Sequence, residues 1–227
     1  LLIVGLGRIG SSVATRAKAL GMEIFCYDPY INPKKAENLG VKRLGDLRGA
    51  LSLADFVTLH VPLTHETRNM INEETLKSIK RGAYLINCAR GGIVDEGACA
   101  KALKEDRLAG AAFDVHVVEP AKESPLFDPP IIEKVVVTPH IGANTREAQR
   151  AVAEIVVKNL IKALSGEPYE NAVNLPYMKN KMTLQEREFL SLARRMGMIA
   201  ACVIKEHVDE ITVAMAGPLL EEVEISL

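Results

Sequence analysis

The segment LLIVGLGRIG at residues 1–10 constrains the fold more than any other part of the chain. It places Gly5, Gly7 and Gly10 in a G-x-G-x-x-G spacing, directly after an apolar run and directly before a helical pattern. In parallel α/β sheets this spacing makes a tight turn, lets a pyrophosphate approach the backbone and lets the helix pack closely on the strand. The segment therefore predicts a strand, a phosphate-binding turn and a helix in succession.

A carboxylate follows the second apolar run. The segment MEIFCYD (22–28) is typical of a strand that ends at Asp28, eighteen residues after Gly10. An acidic residue at this distance accepts hydrogen bonds from the adenosine ribose hydroxyls and repels a 2′-phosphate. The glycine turn together with Asp28 therefore predicts NAD, rather than NADP, as the cofactor.

Apolar runs alternate with helical patterns up to residue 143. The predicted strands are continuously apolar, which favours parallel strands covered on both faces. They span residues 1–4, 22–27, 56–60, 83–87, 110–114 and 134–138, and the predicted helices span 9–20, 33–39, 72–78 and 95–105. This order predicts an α/β fold built on a doubly wound parallel (Rossmann) sheet.

The pattern changes after residue 143. A long helix is expected over 144–165, an amphipathic helix over 182–196 and alternating strands over 210–217 and 222–227, with NAVNLP (171–176) as a connector. The predicted domains are a cofactor domain at 1–143, a helix and connector at 144–177, and a partial α+β domain at 178–227. Because the chain begins inside a strand without a methionine, we expect a longer protein with a further N-terminal portion.

Composition argues against several kinds of partner. The 227 residues are 48% apolar and 25% charged, and the net charge of −1 disfavours nucleic acid or an anionic membrane as the main partner. No apolar run approaches the ~18 residues that a membrane span needs. Cys26, Cys88, Cys99 and Cys202 form neither a CxxC pair nor a metal-ligand spacing, which predicts reduced thiols in a cytoplasmic protein and no metal site.

Polar residues follow three of the later strands. Arg90 lies in NCARGG, Asp114 and Glu119 lie in FDVHVVEP, and His140 lies in VTPHIGANT. Ligands bind at the carboxyl ends of parallel strands, so these segments are expected to reach one crevice. Arg90 is surrounded by small residues, and its planar fork suits a carboxylate. An imidazole such as His140 transfers protons near neutral pH, and Glu119 would fix its tautomer. With NAD, these groups predict oxidation of a 2-hydroxy acid.

The same segments carry a family resemblance. GLGRIG, YDPY, LHVPLTHETRNMI, LINCARGGIVDE, LAGAAFDV, VTPHIGANT and NAVNLP resemble the D-isomer-specific 2-hydroxyacid dehydrogenases over nearly the whole chain. The resemblance implies that Arg90, Glu119 and His140 are the catalytic set, with His140 as the proton donor. It also implies further cofactor contacts, namely Arg8 and Ile9 at the pyrophosphate, Asp28 at the ribose, Val61 and Pro62 along the groove, Cys88, Ala89 and Arg90 near the nicotinamide, Asp114 at the carboxamide, and His140, Gly142 and Ala143 closing the site.

The segment after residue 177 resembles the longer members of the family, which act on 3-phosphoglycerate. This implies oxidation of 3-phosphoglycerate to 3-phosphohydroxypyruvate, a step of serine biosynthesis, by a homodimer or higher homo-oligomer. Two alternatives stay open. One is another family member, such as a glyoxylate/hydroxypyruvate reductase, and the other is an NAD-sensing corepressor of the same fold that acts by binding partners. Among the remaining histidines, His116 is expected at the rim of the site and His60 in packing below the cofactor.

Overall fold

The structure is a computed structural model that describes residues 1–165, 167, 169 and 184–203. The chain divides into two compact units, Leu1–Arg146 and Glu147–Leu227. The first unit is built on seven parallel strands, β1 Leu2–Val4, β2 Phe25–Tyr27, β3 Lys42–Arg43, β4 Phe56–Leu59, β5 Ala83–Asn87, β6 Leu108–Phe113 and β7 Val135–Val137. They pair in the order β3-β2-β1-β4-β5-β6-β7. The predicted doubly wound parallel sheet is therefore confirmed.

Five helices connect the strands of the first unit. They are α1 Arg8–Ala19, α2 Pro33–Leu39, α3 Leu47–Leu53, α4 Glu73–Lys77 and α5 Glu96–Lys104, with 3-10 helices at Pro125–Phe127 and Ile131–Lys134. Four of them begin where a polar side chain caps the free N–H groups, since Asn32, Asp46, Asn72 and Asp95 each accept from the first turn. The sequence prediction missed β3 and α3. β3 consists of two exposed charged residues at the edge of the sheet, so it carries no apolar signal.

The sheet separates two apolar cores. Leu2 and Val4 lie in the larger core with α3, α4 and α5, whereas Ile3 lies in the smaller core with α1 and α2, as the two-residue alternation of a strand requires. Towards β7, the sheet face opposite the larger core carries Tyr84, which is 44% exposed, and Val136, which is 66% exposed. The expectation of strands covered on both faces is met for β1, whose residues lie in both cores, and stays a prediction for this part of the sheet.

The second unit is described through two helices. They are α6 Arg146–Leu164 and α7 Leu184–Val203. α6 lies within the predicted helical region 144–165, whereas α7 begins within the predicted region 182–196 and continues beyond its predicted end to Val203. The connector at 171–176 and the strands at 210–217 and 222–227 lie outside the described residues. No helix in the part of the chain that the structure describes is long and apolar enough to cross a membrane.

Candidate active site and cofactor turn

The glycine turn after β1 leaves no room for side chains at two of its positions. Gly5 has a φ of +91°, and a Cβ there would lie 2.7 Å from the carbonyl oxygen of His60. A Cβ on Gly10 would lie 2.1 Å from the carbonyl oxygen of Gly5, so α1 packs on the turn only with glycine at that position. Gly7 is the N-cap of α1, and no atom lies within 4 Å of where its Cβ would be. The N-terminus of α1 thus opens onto free space, which suits an anionic group.

Asp28 lies beside this turn at the carboxyl end of β2. Its Oδ2 accepts a hydrogen bond from the backbone N–H of Leu6 (2.9 Å) and its Oδ1 accepts one from Tyr30 (3.0 Å). Lys35 donates to the carbonyl oxygen of Leu6 (2.8 Å). Because each carboxylate oxygen can accept two hydrogen bonds, Asp28 is held in place and can still accept from ribose hydroxyls.

The loop after β4 forms the other side of this part of the crevice. Val61 and Pro62 begin the loop, and the Cγ1 atom of Val61 lies 2.8 Å from the position of a Cβ on Gly5. The Tyr30 hydroxyl donates to Glu66 across 2.5 Å, which joins the loops after β2 and β4. Since these two strands flank β1, the bond passes over the carboxyl end of β1.

Arg90 follows β5 in a turn that a buried amide holds. Asn87 is 1% exposed, accepts from the N–H of Ala89 (3.1 Å) and donates to the carbonyl oxygen of Arg90 (3.0 Å). The Arg90 guanidinium donates to the Ala89 carbonyl oxygen (2.6 Å), and the side chain is exposed. Asn87 therefore fixes the backbone from which Arg90 projects.

An imidazole and a carboxylate meet in the loops after β6 and β7. His140 Nδ1 lies 2.7 Å from Glu119 Oε2, with half of the His140 side chain exposed. Glu119 Oε1 accepts a hydrogen bond from the backbone N–H of His116 (3.0 Å). The hydrogen bonds from His140 and from the His116 backbone lower the pKa of Glu119, so the carboxylate is ionised at neutral pH. A carboxylate at Nδ1 fixes the imidazole tautomer and leaves Nε2 to exchange protons.

Asp114 holds the loop that carries His140. Its carboxylate accepts hydrogen bonds from the Thr138 hydroxyl and from the N–H groups of Ile141 (2.9 Å) and Gly142 (2.8 Å). Burial disfavours its charged form, but these hydrogen bonds together lower the pKa of Asp114. His140 has a φ of +55°, which is unfavourable for a residue with a side chain. The anchored loop therefore stabilises a strained backbone, and contact of Asp114 with a carboxamide stays a prediction.

His116 is not at the rim of the site, so that expectation is wrong. His116 is 7% exposed. Its ring lies between the rings of Phe113 and Phe127, whose centroids are 6.0 and 5.8 Å from its own. The chain folds inward at this position because the 3-10 helix at Pro125–Phe127 covers it. His60 is more than half buried, and burial lowers its pKa, in keeping with a packing residue.

The three loops after β5, β6 and β7 lie side by side because their strands are neighbours. A Cβ on Gly91 would lie 1.8 Å from the carbonyl oxygen of His116, so the Arg90 loop touches the Glu119 loop. Ala143 and Gly142 continue the His140 loop. Among the described residues no group of three or more His, Cys, Asp or Glu side chains could bind a metal. The site thus combines a cation, an anion–imidazole pair and a dinucleotide turn.

Comparison with known proteins decides the family. Residues 1–142 match the sequence model described as D-isomer specific 2-hydroxyacid dehydrogenase, NAD binding domain. This chain belongs to that family. The match confirms the resemblance stated above, and it confirms NAD as the cofactor of the domain.

Other dehydrogenases of this family resemble the chain closely. The D-3-phosphoglycerate dehydrogenase of Methanocaldococcus jannaschii is 42% identical over 97% of this chain and 41% of its own length. That of Bacillus subtilis is 40% identical over 96% of this chain and 41% of its own length. The structure of D-lactate dehydrogenase with NAD⁺ from Lactobacillus jensenii aligns with a TM-score of 0.67 and 32% identity, covering 77% of this chain and 55% of that chain. The chain thus spans about 41% of the length of the two relatives.

Proposed function

We propose that this chain supplies the cofactor site and the acid–base pair of an enzyme that oxidises D-3-phosphoglycerate to 3-phosphohydroxypyruvate with NAD. The observation that carries the proposal is the distance of 2.7 Å between His140 Nδ1 and Glu119 Oε2. These residues lie in the loops after β7 and β6, beside the loop of Arg90 and within an NAD-binding domain of this family. The two D-3-phosphoglycerate dehydrogenases at 42% and 40% identity support the substrate.

The residues present fit a dinucleotide. The space over Gly7 is open and the carboxylate of Asp28 lies beside the turn. NAD, when bound, supplies the hydride acceptor. The residues that would hold it are Gly5, Gly7, Arg8, Ile9 and Gly10 at the pyrophosphate, Asp28 at the ribose, Val61 and Pro62 along the groove, Cys88, Ala89 and Arg90 near the nicotinamide, and Asp114, His140, Gly142 and Ala143 beside them.

The chain's own groups divide the chemistry. Arg90 grips the substrate carboxylate through two N–H groups and so orients the neighbouring hydroxyl-bearing carbon. Neutral His140 takes the hydroxyl proton at Nε2 as a hydride leaves that carbon and the C–O bond becomes a carbonyl. Glu119 accepts from Nδ1 and stabilises the imidazolium that forms. In the reverse direction, protonated His140 returns the proton to the carbonyl oxygen.

Substrate choice and the roles of Arg90 and His140 are tested together by steady-state kinetics. D-3-phosphoglycerate should be preferred over D-lactate, and 3-phosphohydroxypyruvate over glyoxylate.

Arg90→Lys keeps the charge and loses the planar fork of the guanidinium, so KM for the hydroxy acid should rise while NAD affinity stays near that of the parent. His140→Gln should lower kcat by ~10²–10⁴, whereas His65→Gln, at an exposed position, should have no effect. A preference for glyoxylate over 3-phosphohydroxypyruvate would contradict the proposed substrate. Full activity in His140→Gln would contradict the proposed role of His140 in proton transfer.

Glu119 is tested through the pH dependence. Glu119→Gln removes the anion that stabilises protonated His140, so His140 should lose its proton at a lower pH. The acidic limb of the oxidation profile should then move to lower pH, because oxidation needs neutral His140. Activity in the reduction direction should fall away at a lower pH than in the parent. Profiles that do not move in either direction would leave Glu119 without a role in proton transfer.

We also propose a compartment and an oligomeric state for this protein. All four cysteines are free thiols, and free thiols favour a reducing compartment, so we propose the cytoplasm. The family resemblance supports a homodimer formed through the cofactor domain. Light scattering of the purified chain tests the dimer, and a monomer at micromolar concentration would contradict it.

A further inference from the structure

Glu96 is the first residue of α5 and contacts the loop that carries Glu119. Its side chain is 12% exposed. Oε1 accepts a hydrogen bond from the backbone N–H of Val117 (3.1 Å), and Oε2 accepts one from the hydroxyl of Ser124 (2.5 Å). The helix dipole favours a carboxylate in this first turn. Glu96 therefore has a largely buried carboxylate that two hydrogen bonds hold in place, and it reaches the Glu119 loop.

Residues 116 and 117 lie between two carboxylates. The N–H of His116 donates to Glu119 (3.0 Å), and the next N–H along the chain, that of Val117, donates to Glu96 (3.1 Å). The Val117 side chain is 62% exposed, so it provides no apolar anchor at this point. A displacement of this short segment would move the N–H group that orients Glu119.

The His116 ring adds a third contact with Glu96. Its Nδ1 lies 3.4 Å from Glu96 Oε1, and neither ring nitrogen has a hydrogen-bond partner among the described residues. Nδ1 is the ring nitrogen that faces this carboxylate. The His116 ring therefore contacts Glu96, while the backbone N–H of the same residue donates to Glu119.

We propose that Glu96 is a positioning residue for the acid–base pair. It holds residues 116 and 117 so that the carboxylate of Glu119 stays within hydrogen-bonding distance of His140. This inference rests on the proposed function, because it assigns Glu96 to the same proton-transfer site. Hydrogen bonds to a charged acceptor are stronger than neutral ones, which suits Glu96 for holding an exposed loop.

The charges around His140 determine what the loss of Glu96 does. Glu119 faces its Nδ1 at 2.7 Å, the buried Asp114 carboxylate acts on it from the loop after β6, and His116 acts on Glu119. Glu96 faces His116, and its proposed effect on His140 runs through the position of Glu119. Its removal should therefore shift the protonation of His140 in the same direction as removal of Glu119, by a smaller amount.

The test is an NMR titration of the five histidines of the chain, with the His140 ring signal assigned by its loss in His140→Gln. In Glu96→Ala the midpoint of His140 protonation should move to lower pH, part of the way towards that of Glu119→Gln. Glu96→Gln keeps an acceptor oxygen for Val117 and should restore the midpoint of the parent. Glu105→Ala removes a carboxylate from the far end of the same helix and should leave the midpoint unchanged.

The outcomes separate this inference from the proposed function. If Glu119→Gln moves the His140 midpoint and Glu96→Ala does not, the positioning role is overturned and the acid–base pair stands. If neither moves it, the pair itself falls. Glu96→Asp, with one methylene less, provides a milder variant should the alanine fail to fold, and its midpoint should also lie below that of the parent. In the active enzyme, Glu96→Ala should lower kcat about tenfold, equivalent to ~1.4 kcal/mol, with KM nearly unchanged.

Discussion

Replacement of Asp114 by asparagine tests how the strained His140 loop is held. The parent carboxylate accepts from the Thr138 hydroxyl and from the N–H groups of Ile141 and Gly142. An asparagine amide has one acceptor oxygen, so its best orientation keeps the oxygen on Thr138 and Ile141. Its NH₂ group then faces the N–H of Gly142, and two donors oppose each other. Asp114→Asn therefore loses one hydrogen bond and weakens two others.

The magnitude follows from these three contacts. A hydrogen bond to a charged group contributes about 1.5–3 kcal/mol to stability. Water competes for the exposed loop, since Ile141 is 45% exposed, so we expect a loss of about 2 kcal/mol in total. A left-handed φ like that of His140 costs roughly 1–2 kcal/mol. The expected loss is therefore comparable with the strain that the anchored loop sustains, and Asp114→Asn should release His140 from its left-handed conformation.

Denaturant unfolding at a series of pH values measures this effect. The folded-state pKa of Asp114 is lowered, so its contribution is fully present above the ordinary value of about 4 and is lost as the pH falls through the folded-state value. The difference between parent and Asp114→Asn should be constant at neutral pH and shrink only below about pH 4. Asp55→Asn, which changes an exposed carboxylate paired with Lys80, is the control and should stay close to the parent. Parental stability of Asp114→Asn at neutral pH would refute the reasoning.

Three further predictions address the cofactor and the buried loop. NAD should bind at least ~10-fold more tightly than NADP, a difference of about 1.4 kcal/mol. In a fluorescence titration, Asp28→Ala should reduce this difference in affinity. Equal affinities for NAD and NADP in the parent would exclude a role of Asp28 in cofactor choice. Burial and the charge of Asp114 raise the pKa of Cys88, so its alkylation should quicken with pH. Bound NAD should slow alkylation of Cys88 and leave alkylation of the exposed Cys202 unchanged. Equal protection of the two thiols, measured by mass spectrometry, would place the nicotinamide elsewhere. His116→Phe should lower the free energy of unfolding by about 1 kcal/mol, because an apolar ring would then face the largely buried Glu96 carboxylate in place of Nδ1, which lies 3.4 Å from it. An increase in the free energy of unfolding would show that the contact between His116 and Glu96 is not stabilising.

Elements with a strong local signal could be predicted from the sequence. The helices α1, α2, α4 and α5 begin and end within one residue of the predicted bounds, because amphipathic spacing and caps such as Asn72 and Asp95 are local properties. β2 begins only at Phe25, three residues later than predicted, since apolar character alone does not show where pairing with β1 starts. β3 is a two-residue edge strand of Lys42 and Arg43, and it forms only because β2 offers it a free edge.

Candidate site residues could be predicted from the sequence where they follow a predicted strand. Arg90, Glu119 and His140 follow predicted strands, and their residue types are unusual for loops that open from a core. Glu96 and His116 act through contacts between segments far apart in sequence, and such contacts leave no local pattern. The one usable signal was Asn87, an amide at the end of a buried strand, where an unpaired polar group would be costly.

The contact between Gly91 and His116 links the two halves of the proposed chemistry. Gly91 directly follows Arg90, and any side chain on it would overlap the carbonyl oxygen of His116. The N–H of the same residue, His116, donates to Glu119. The backbone that carries Arg90 therefore contacts the same residue whose N–H donates to Glu119. The 1.8 Å separation that a Cβ would have from this carbonyl oxygen requires glycine directly after Arg90. Because β5 and β6 are adjacent, a shift in either loop would displace the other, and under the proposed function it would change both the contact with the substrate carboxylate and the position of Glu119.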